Sequence, residues 1–236
     1  MRFAVIRFGG SNCDLDTVHV LSEVLGVDTD LVWYRDGLQR RYDAVILPGG
    51  FSYGDYLRAG AIAARTPIMA DVISHAREGG LVLGICNGAQ IAAESGLVPG
   101  VFTRNEVPRF ICRPTWLRVE TTDTPFTRLY RRGEVIRVPV AHGEGRYVAP
   151  PGVIARLNRE RRIAFRYCDT EGRVIPGANP NGSIEGIAGI LGEGRNVLVM
   201  MPHPERSSEL VIGSEDGRRI FESMIEHCQA GTTRQR

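Results

Sequence analysis

The chain has 236 residues, 43% of them hydrophobic, with a formal net charge of +2. That is enough length and apolar content for one generous α/β domain, and the charge exerts no general pull toward nucleic acid or an anionic membrane. No lysine occurs anywhere, which excludes a P-loop phosphate site and a pyridoxal Schiff base, and no apolar run approaches a membrane span.

In chain order, Phe3 to Phe8 reads as a buried strand, too short and too arginine-punctuated for a signal peptide. A helix is predicted over Asp14 to Leu25, capped by Asn12 or Ser11. Strands follow at Asp30 to Tyr34 and Ala44 to Leu47, helices at Tyr56 to Ala64 and Ala70 to Glu78, a strand at Leu81 to Ile85 and a helix at Ala89 to Ser95. This alternation argues for a largely parallel sheet covered on both faces, a three-layer α/β sandwich, with ligands expected beyond the strand carboxyl ends.

The second half is richer in strands, at Trp116 to Thr121, Val135 to Val140, Ile163 to Tyr167, Ile184 to Ile190 and Val197 to Met201. They suggest an antiparallel addition plus the last core strands. Turn signals stand at Ala149-Pro-Pro-Gly152, Thr170-Glu-Gly172 and Asn179-Pro-Asn-Gly182. The Arg-rich stretches Arg128 to Arg137 and Arg156 to Arg166 lack interleaved stacking aromatics and read as solvated faces. A last helix is expected over Arg218 to His227, and the polar residues 229–236 as a flexible tail after a single domain spanning 1–228.

Three strand ends carry chemistry. Gly84-Ile-Cys-Asn-Gly88 sits between a strand and a helix, a thiol version of the G-x-S-x-G elbow. Such a turn exposes Cys86 in strained geometry, and the helix N-terminus behind it stabilises first a thiolate and then an oxyanion. After Val197 to Met201 comes Pro202-His-Pro-Glu205. His203 is a base for a thiol, and Glu205 can accept its other ring N–H. After Ala44 to Leu47 comes the turn Pro48-Gly-Gly-Phe51, whose N–H groups can approach a ligand closely. Taken singly, each element has an ordinary structural explanation; together they complement one another chemically. The five cysteines are odd in number and contain no C-x-x-C pair. Neither a zinc site nor a disulfide framework is therefore expected, and reduced thiols of a cytoplasmic protein fit best. Cys13 is read as structural.

The stretches Gly9-Gly-Ser-Asn-Cys-Asp14, Pro48-Gly-Gly-Phe-Ser-Tyr-Gly-Asp-Tyr-Leu-Arg-Ala-Gly60, Gly84-Ile-Cys-Asn-Gly-Ala-Gln90, Ala141-His-Gly-Glu-Gly-Arg146, Asn179-Pro-Asn-Gly-Ser183 and Met200-Met-Pro-His-Pro-Glu-Arg206 run across most of the chain. With them it resembles the class I (triad) glutamine amidotransferases, and among these the glutaminase subunits of phosphoribosylformylglycinamidine synthases of purine biosynthesis. The resemblance implies a flavodoxin-like central sheet. It implies Cys86 as nucleophile, His203 as acid/base, Glu205 as its orienter, and backbone N–H groups of Gly50 and Asn87 as oxyanion donors. Gly49, Phe51, Gln90, His142, Gly143 and Glu144 would surround L-glutamine. It implies no metal and no cofactor on this chain. ATP and magnesium would bind a large synthetase subunit, and a small accessory subunit would complete the complex. The runner-up reading is another thiol hydrolase on the same sheet, such as a peptidase or γ-glutamyl hydrolase; a third is a non-catalytic scaffold subunit.

Overall fold

The computed structural model describes residues 1–234, with side chains through residue 231. Its elements are β1 (Arg2–Arg7), α1 (Asp14–His19), β2 (Asp28–Trp33), β3 (Ala44–Leu47), α2 (Ile68–Arg77), β4 (Leu81–Ile85), α3 (Asn87–Glu94), β5 (Val101–Thr103), β6 (Ile111–Val119), β7 (Val135–His142), β8 (Arg146–Val148), α4 (Pro151–Arg159), β9 (Ile163–Cys168), β10 (Ile187–Leu191), β11 (Val197–Met200) and α5 (Arg218–Arg234). One nine-stranded sheet has the order β2-β1-β3-β4-β11-β10-β9-β6-β7, and β5 and β8 form a separate ribbon. The neighbours from β2 through β11 pair in parallel, and those from β11 to β7 pair antiparallel. The parallel part is the doubly wound order in which ligands gather at the strand carboxyl ends.

Strands β3, β4 and β11 are buried along their whole length, as short uninterrupted Val/Ile/Leu runs must be when helices cover both faces. Gly84 and Gly88 let α3 close on this layer. A Cβ on Gly84 would lie 2.8 Å from the Gly88 carbonyl oxygen, and one on Gly88 1.9 Å from the Leu47 carbonyl oxygen. The two elbow glycines are thus required for helix–sheet contact as well as for the turn.

Several expected elements differ. Tyr56 to Ala64 forms no α-helix: Tyr53, Asp55, Leu57 and Gly60 all have positive φ, which breaks helical continuation. Gly60 instead packs on α3, where a Cβ would stand 2.7 Å from the Ile91 nitrogen. Helix α1 ends at His19 and passes into a π-helical turn, Val20–Val24. Neither proposed cap serves it: the Ser11 hydroxyl accepts the Phe8 N–H at 3.0 Å, and Asn12 Oδ1 accepts the Cys13 thiol at 3.1 Å. The proline pair read as a turn opens α4, with Pro151 in its first turn, where a missing N–H costs nothing. Arg162 and Arg166, read as part of a solvated face, are buried; Arg166 binds the Asn158 amide oxygen at 2.8 Å and the Glu185 carboxylate at 3.0 Å. Helix α5 continues past His227 to Arg234; residues 235–236, the end of the tail expected to be flexible, lie outside the described residues.

Candidate functional site

The elbow, the glycine turn and the His-Pro-Glu segment follow β4, β3 and β11, three adjacent parallel strands, so their ends share one rim. Cys86 has φ 50° and ψ −105°. Such a conformation costs a non-glycine residue on the order of 1–3 kcal/mol; it is held by the Cys86 N–H, which donates to the Met200 carbonyl at 2.8 Å. The side chain is almost wholly buried, and its sulfur sits 3.6 Å from the Ala141 carbonyl oxygen.

His203 and Glu205 are buried side by side, Nδ1 to Oε1 at 2.6 Å. The His203 N–H donates to the Pro139 carbonyl at 2.8 Å, tying the segment after β11 to β7 across the sheet. Burial by itself would strip the ring of its proton, but the Glu205 charge and the sulfurs of Cys86 and Cys13 overcome it and hold the imidazole well above its ordinary range. A proton-bearing imidazole beside a thiol is the arrangement a thiolate nucleophile needs.

The glycine turn faces the same place. Gly50 sits at φ 151°, and a Cβ there would meet Ser11 Cα at 2.7 Å. It pairs with Ser11 in an isolated antiparallel bridge. The bridge's two hydrogen bonds run from Phe51 N–H to the Gly10 carbonyl, at 2.9 Å, and from Asn12 N–H to the Gly49 carbonyl, at 3.4 Å. The Phe51 N–H is thereby spent and the Gly50 N–H left out of the ladder. The Asn87 N–H, in the first turn of α3, has no intrahelical acceptor either. Gly49 contributes by being small, since a Cβ there would stand 2.8 Å from His203 Cε1 and 3.0 Å from Cys13 Sγ.

Residues 1–228 match the family of CobB/CobQ-like glutamine amidotransferase domains. This chain belongs to that family. It is 57% identical to the phosphoribosylformylglycinamidine synthase subunit PurQ of Methanosarcina acetivorans over 227 residues, 96% of this chain and 98% of that one. It is 53% identical to the PurQ of Moorella thermoacetica, with 98% of each chain covered. A chain in the structure of PurLQS from Thermotoga maritima superposes with a TM-score of 0.85 at 44% identity, covering 96% of this chain and 98% of that one.

The amidotransferase rim is closed by the loop after β7. The Gln90 amide donates to the Glu144 carbonyl at 2.6 Å, and the Asn87 amide donates to Gln90 Oε1 at 2.9 Å, so α3 holds the loop directly. Phe51 stands half exposed, its ring 6.1 Å from that of Phe110, which in turn lies against Gly143. Burial and the nearby Glu144 charge push the Asp55 carboxyl up to about 6. His142 is different from the expectation of a residue closing over substrate: its ring nitrogens meet Asn105 Oδ1 at 3.1 Å and the Asn181 amide at 3.4 Å. Burial and the His203 charge lower its pKa to about 4. It is a neutral prop beneath the loop.

Sequence reasoning missed the residues that hold this loop. Asn105 Oδ1 accepts the Gly145 N–H at 2.9 Å, and the Asn181 amide donates to the Gly145 carbonyl at 2.8 Å. Asn181 stood in a stretch read as a turn and quoted for the family resemblance, but no role followed for it; nothing local marked Asn105. Cys13 was read as structural, yet its buried thiol lies against the His203 ring and accepts from Arg206 Nη2 at 3.1 Å. Burial pushes this thiol's pKa up despite the hydrogen bond with His203. Among the described residues no helix is long and apolar enough to cross a membrane.

Proposed function

We propose that this chain is the glutaminase subunit of a phosphoribosylformylglycinamidine synthase. It hydrolyses L-glutamine to glutamate and ammonia and passes the ammonia to a synthetase subunit. The observation that carries the reading is a cysteine on a positive-φ elbow beside a buried imidazole–carboxylate pair at 2.6 Å, in a chain 57% identical to a PurQ subunit. The Cys86 thiolate attacks the side-chain amide carbon of glutamine. The oxyanion is received by the N–H groups of Gly50 and Asn87, one such donor being worth roughly 3–4 kcal/mol of barrier. His203 gives its proton to the leaving ammonia, which departs as the thioester forms. His203 then takes a proton from water as the hydroxide adds to the thioester, and glutamate leaves as Cys86 recovers its electron pair. Glu205 keeps the imidazole oriented and offsets its charge throughout.

Gly49, Phe51, Gln90, Gly143 and Glu144 form the walls of the glutamine site in this reading, with His142 supporting them from below. Ammonia released to neutral water becomes non-nucleophilic ammonium, so the output is useful when handed to an acceptor directly. The acceptor is formylglycinamide ribonucleotide, converted to the amidine with ATP and magnesium on the large synthetase subunit, and a small accessory subunit completes the assembly. Five free thiols suit the reducing cytoplasm.

The test is reconstitution with a candidate synthetase. Glutamine-dependent amidine formation is expected from the complex, with weak glutaminase activity from the chain alone. Cys86→Ala should lower glutamine turnover by about 10⁴-fold or more while ammonium-driven amidine formation by the same complex survives. Glutaminase activity undiminished in Cys86→Ala refutes the reading.

A further inference from the structure

A groove of about 1030 Å³ opens at the end of the sheet opposite the catalytic rim. It lies where β4 and β11 begin, between the C-terminal turns of α2 and α3 and the turn from β10 to β11. β4 alone runs five residues, Leu81–Ile85, so roughly 16 Å of strand separates the groove from Cys86. The glutaminase reaction makes no use of it, and its size suits an organic ligand rather than a lone ion.

Arg162, just before β9, is built into the wall of this groove and is 3% exposed. Its Nε donates to the Leu191 carbonyl at 3.1 Å and its Nη1 to Glu160 Oε2 at 3.0 Å. Nη2 is buried with no hydrogen-bond partner among the described residues. An unmet donor on a buried charged group costs free energy until an acceptor arrives. Arg77, at the end of α2, lines the same groove, and its side chain has no ion pair or hydrogen bond among the described residues. The acidic residues of the walls are already matched: Asp123 Oδ1 accepts from Arg195 Nη2 at 2.8 Å, and Glu193 lies 3.6 Å from Arg156 Nη1. Carbonyls at the helix ends are engaged as well. The Asn196 amide donates to the Ala76 and Gly80 carbonyls, each at 2.7 Å, and the Ile91, Ala92 and Ala93 carbonyls accept the N–H groups of Ser95, Leu97 and Gly96. What the groove leaves unspent is therefore cationic.

We propose that this groove binds a phosphate monoester with a flat, largely apolar body, a mononucleotide by class. The phosphate oxygens accept from Arg162 Nη2 and from the Arg77 guanidinium. Two guanidiniums match a doubly charged phosphate better than a singly charged carboxylate. Leu97, Pro99 and Pro125 line the groove beside them and give the base an apolar bed. The bonds of Arg162 to Leu191 and Glu160 stay in place, so the ligand completes a buried hydrogen-bonding group without dismantling the fold. This binding is independent of the glutaminase reading.

Full-length protein is titrated calorimetrically with adenosine monophosphate, and in parallel with adenosine and with inorganic phosphate. One nucleotide per chain is expected, held at least about 10-fold more tightly than either comparison compound. Arg77→Ala and Arg162→Gln should each weaken it by about 10-fold or more. Affinity should be unchanged in Cys86→Ala, with or without saturating L-glutamine. Arg77 is exposed and unpaired, so Arg77→Ala keeps the test decisive if circular dichroism shows Arg162→Gln unfolded. The site is overturned by an absence of nucleotide binding at millimolar concentration, by equal affinity for adenosine or for phosphate, or by affinity unchanged in Arg77→Ala. Displacement of the nucleotide by L-glutamine, or its loss in Cys86→Ala, overturns it as well by moving the ligand to the catalytic rim. Glutaminase activity retained in Cys86→Ala would instead refute the catalytic reading and leave the nucleotide result standing.

Discussion

Strands β3, β4 and β11 are buried at every residue, whereas β7 alternates strictly between half-buried and buried positions and β6 exposes much of one face. The parallel strands end on the residues to which the proposed chemistry is assigned: Gly49 and Gly50, Cys86, and the His203–Glu205 pair. The antiparallel pair ends on residues that carry hydrogen bonds: Asn105 before β6, His142 at the end of β7 and Gly145 after it. The first region supplies reactive groups in strained or desolvated settings. The second supplies a loop pinned by buried amides. A site at a sheet's carboxyl edge needs both, because strand ends can aim side chains but cannot cover what they bind.

Substitutions in the two regions should separate accordingly. The largest effect after Cys86→Ala is expected from Glu205→Gln, which keeps the shape and removes the charge. Turnover should fall by about 10³–10⁴-fold, as for other orienting carboxylates. The pH profile should move as well. The Glu205 charge is a principal cause of the raised His203 pKa, and the proposed reaction requires the protonated ring beside the thiolate. Activity is therefore lost as pH climbs through that raised value, and Glu205→Gln should shift the alkaline limb to lower pH. The stability that this pair contributes follows the same sign: it is full below about 6.5, the ordinary histidine value, and is lost as pH rises through the folded-state value. An alkaline limb unmoved in Glu205→Gln would mean that another group sets it.

Gly50→Ala comes next. With φ 151° and a Cβ only 2.7 Å from Ser11 Cα, the turn must shift and take the Gly50 N–H with it. A loss of about 10²–10³-fold in kcat with modest change in KM is expected if that N–H receives the oxyanion. A KM effect alone would move the donor elsewhere.

The smallest catalytic effect belongs to Asn105→Ala in the antiparallel region. It removes the acceptor for both the Gly145 N–H and the His142 ring. Unfolding free energy should drop by about 1–3 kcal/mol, read by denaturant melts. The kcat/KM for glutamine should fall roughly 10–100-fold, from a misplaced loop. A loss in kcat as large as that of Glu205→Gln would erase the distinction between the two regions.

What was legible in the sequence follows from how local each determinant is. Leu81–Ile85 is a strand because five apolar residues run together, and the elbow after it is recognisable because its glycines sit two residues either side of Cys86. His203 and Glu205 stood out by the same logic, two residues apart behind another apolar run. Tyr56 to Ala64 misled because its apparent helical pattern is overridden by positive-φ residues and by the packing of Gly60 on α3. Helix α4 was hidden by a proline pair that opens helices as readily as turns.

The sequence by itself therefore determined the alternating core and the largely parallel sheet, and it marked the thiol, imidazole and carboxylate that are proposed to react, since each is encoded within a few neighbouring residues. Only the tertiary structure decided which N–H groups remain unspent, that His142 is a neutral prop held by Asn105 and Asn181, and that Cys13 rests against His203 from 190 positions away (203 − 13). Those are outcomes of burial and close approach between distant segments, and no local pattern of residue types records them.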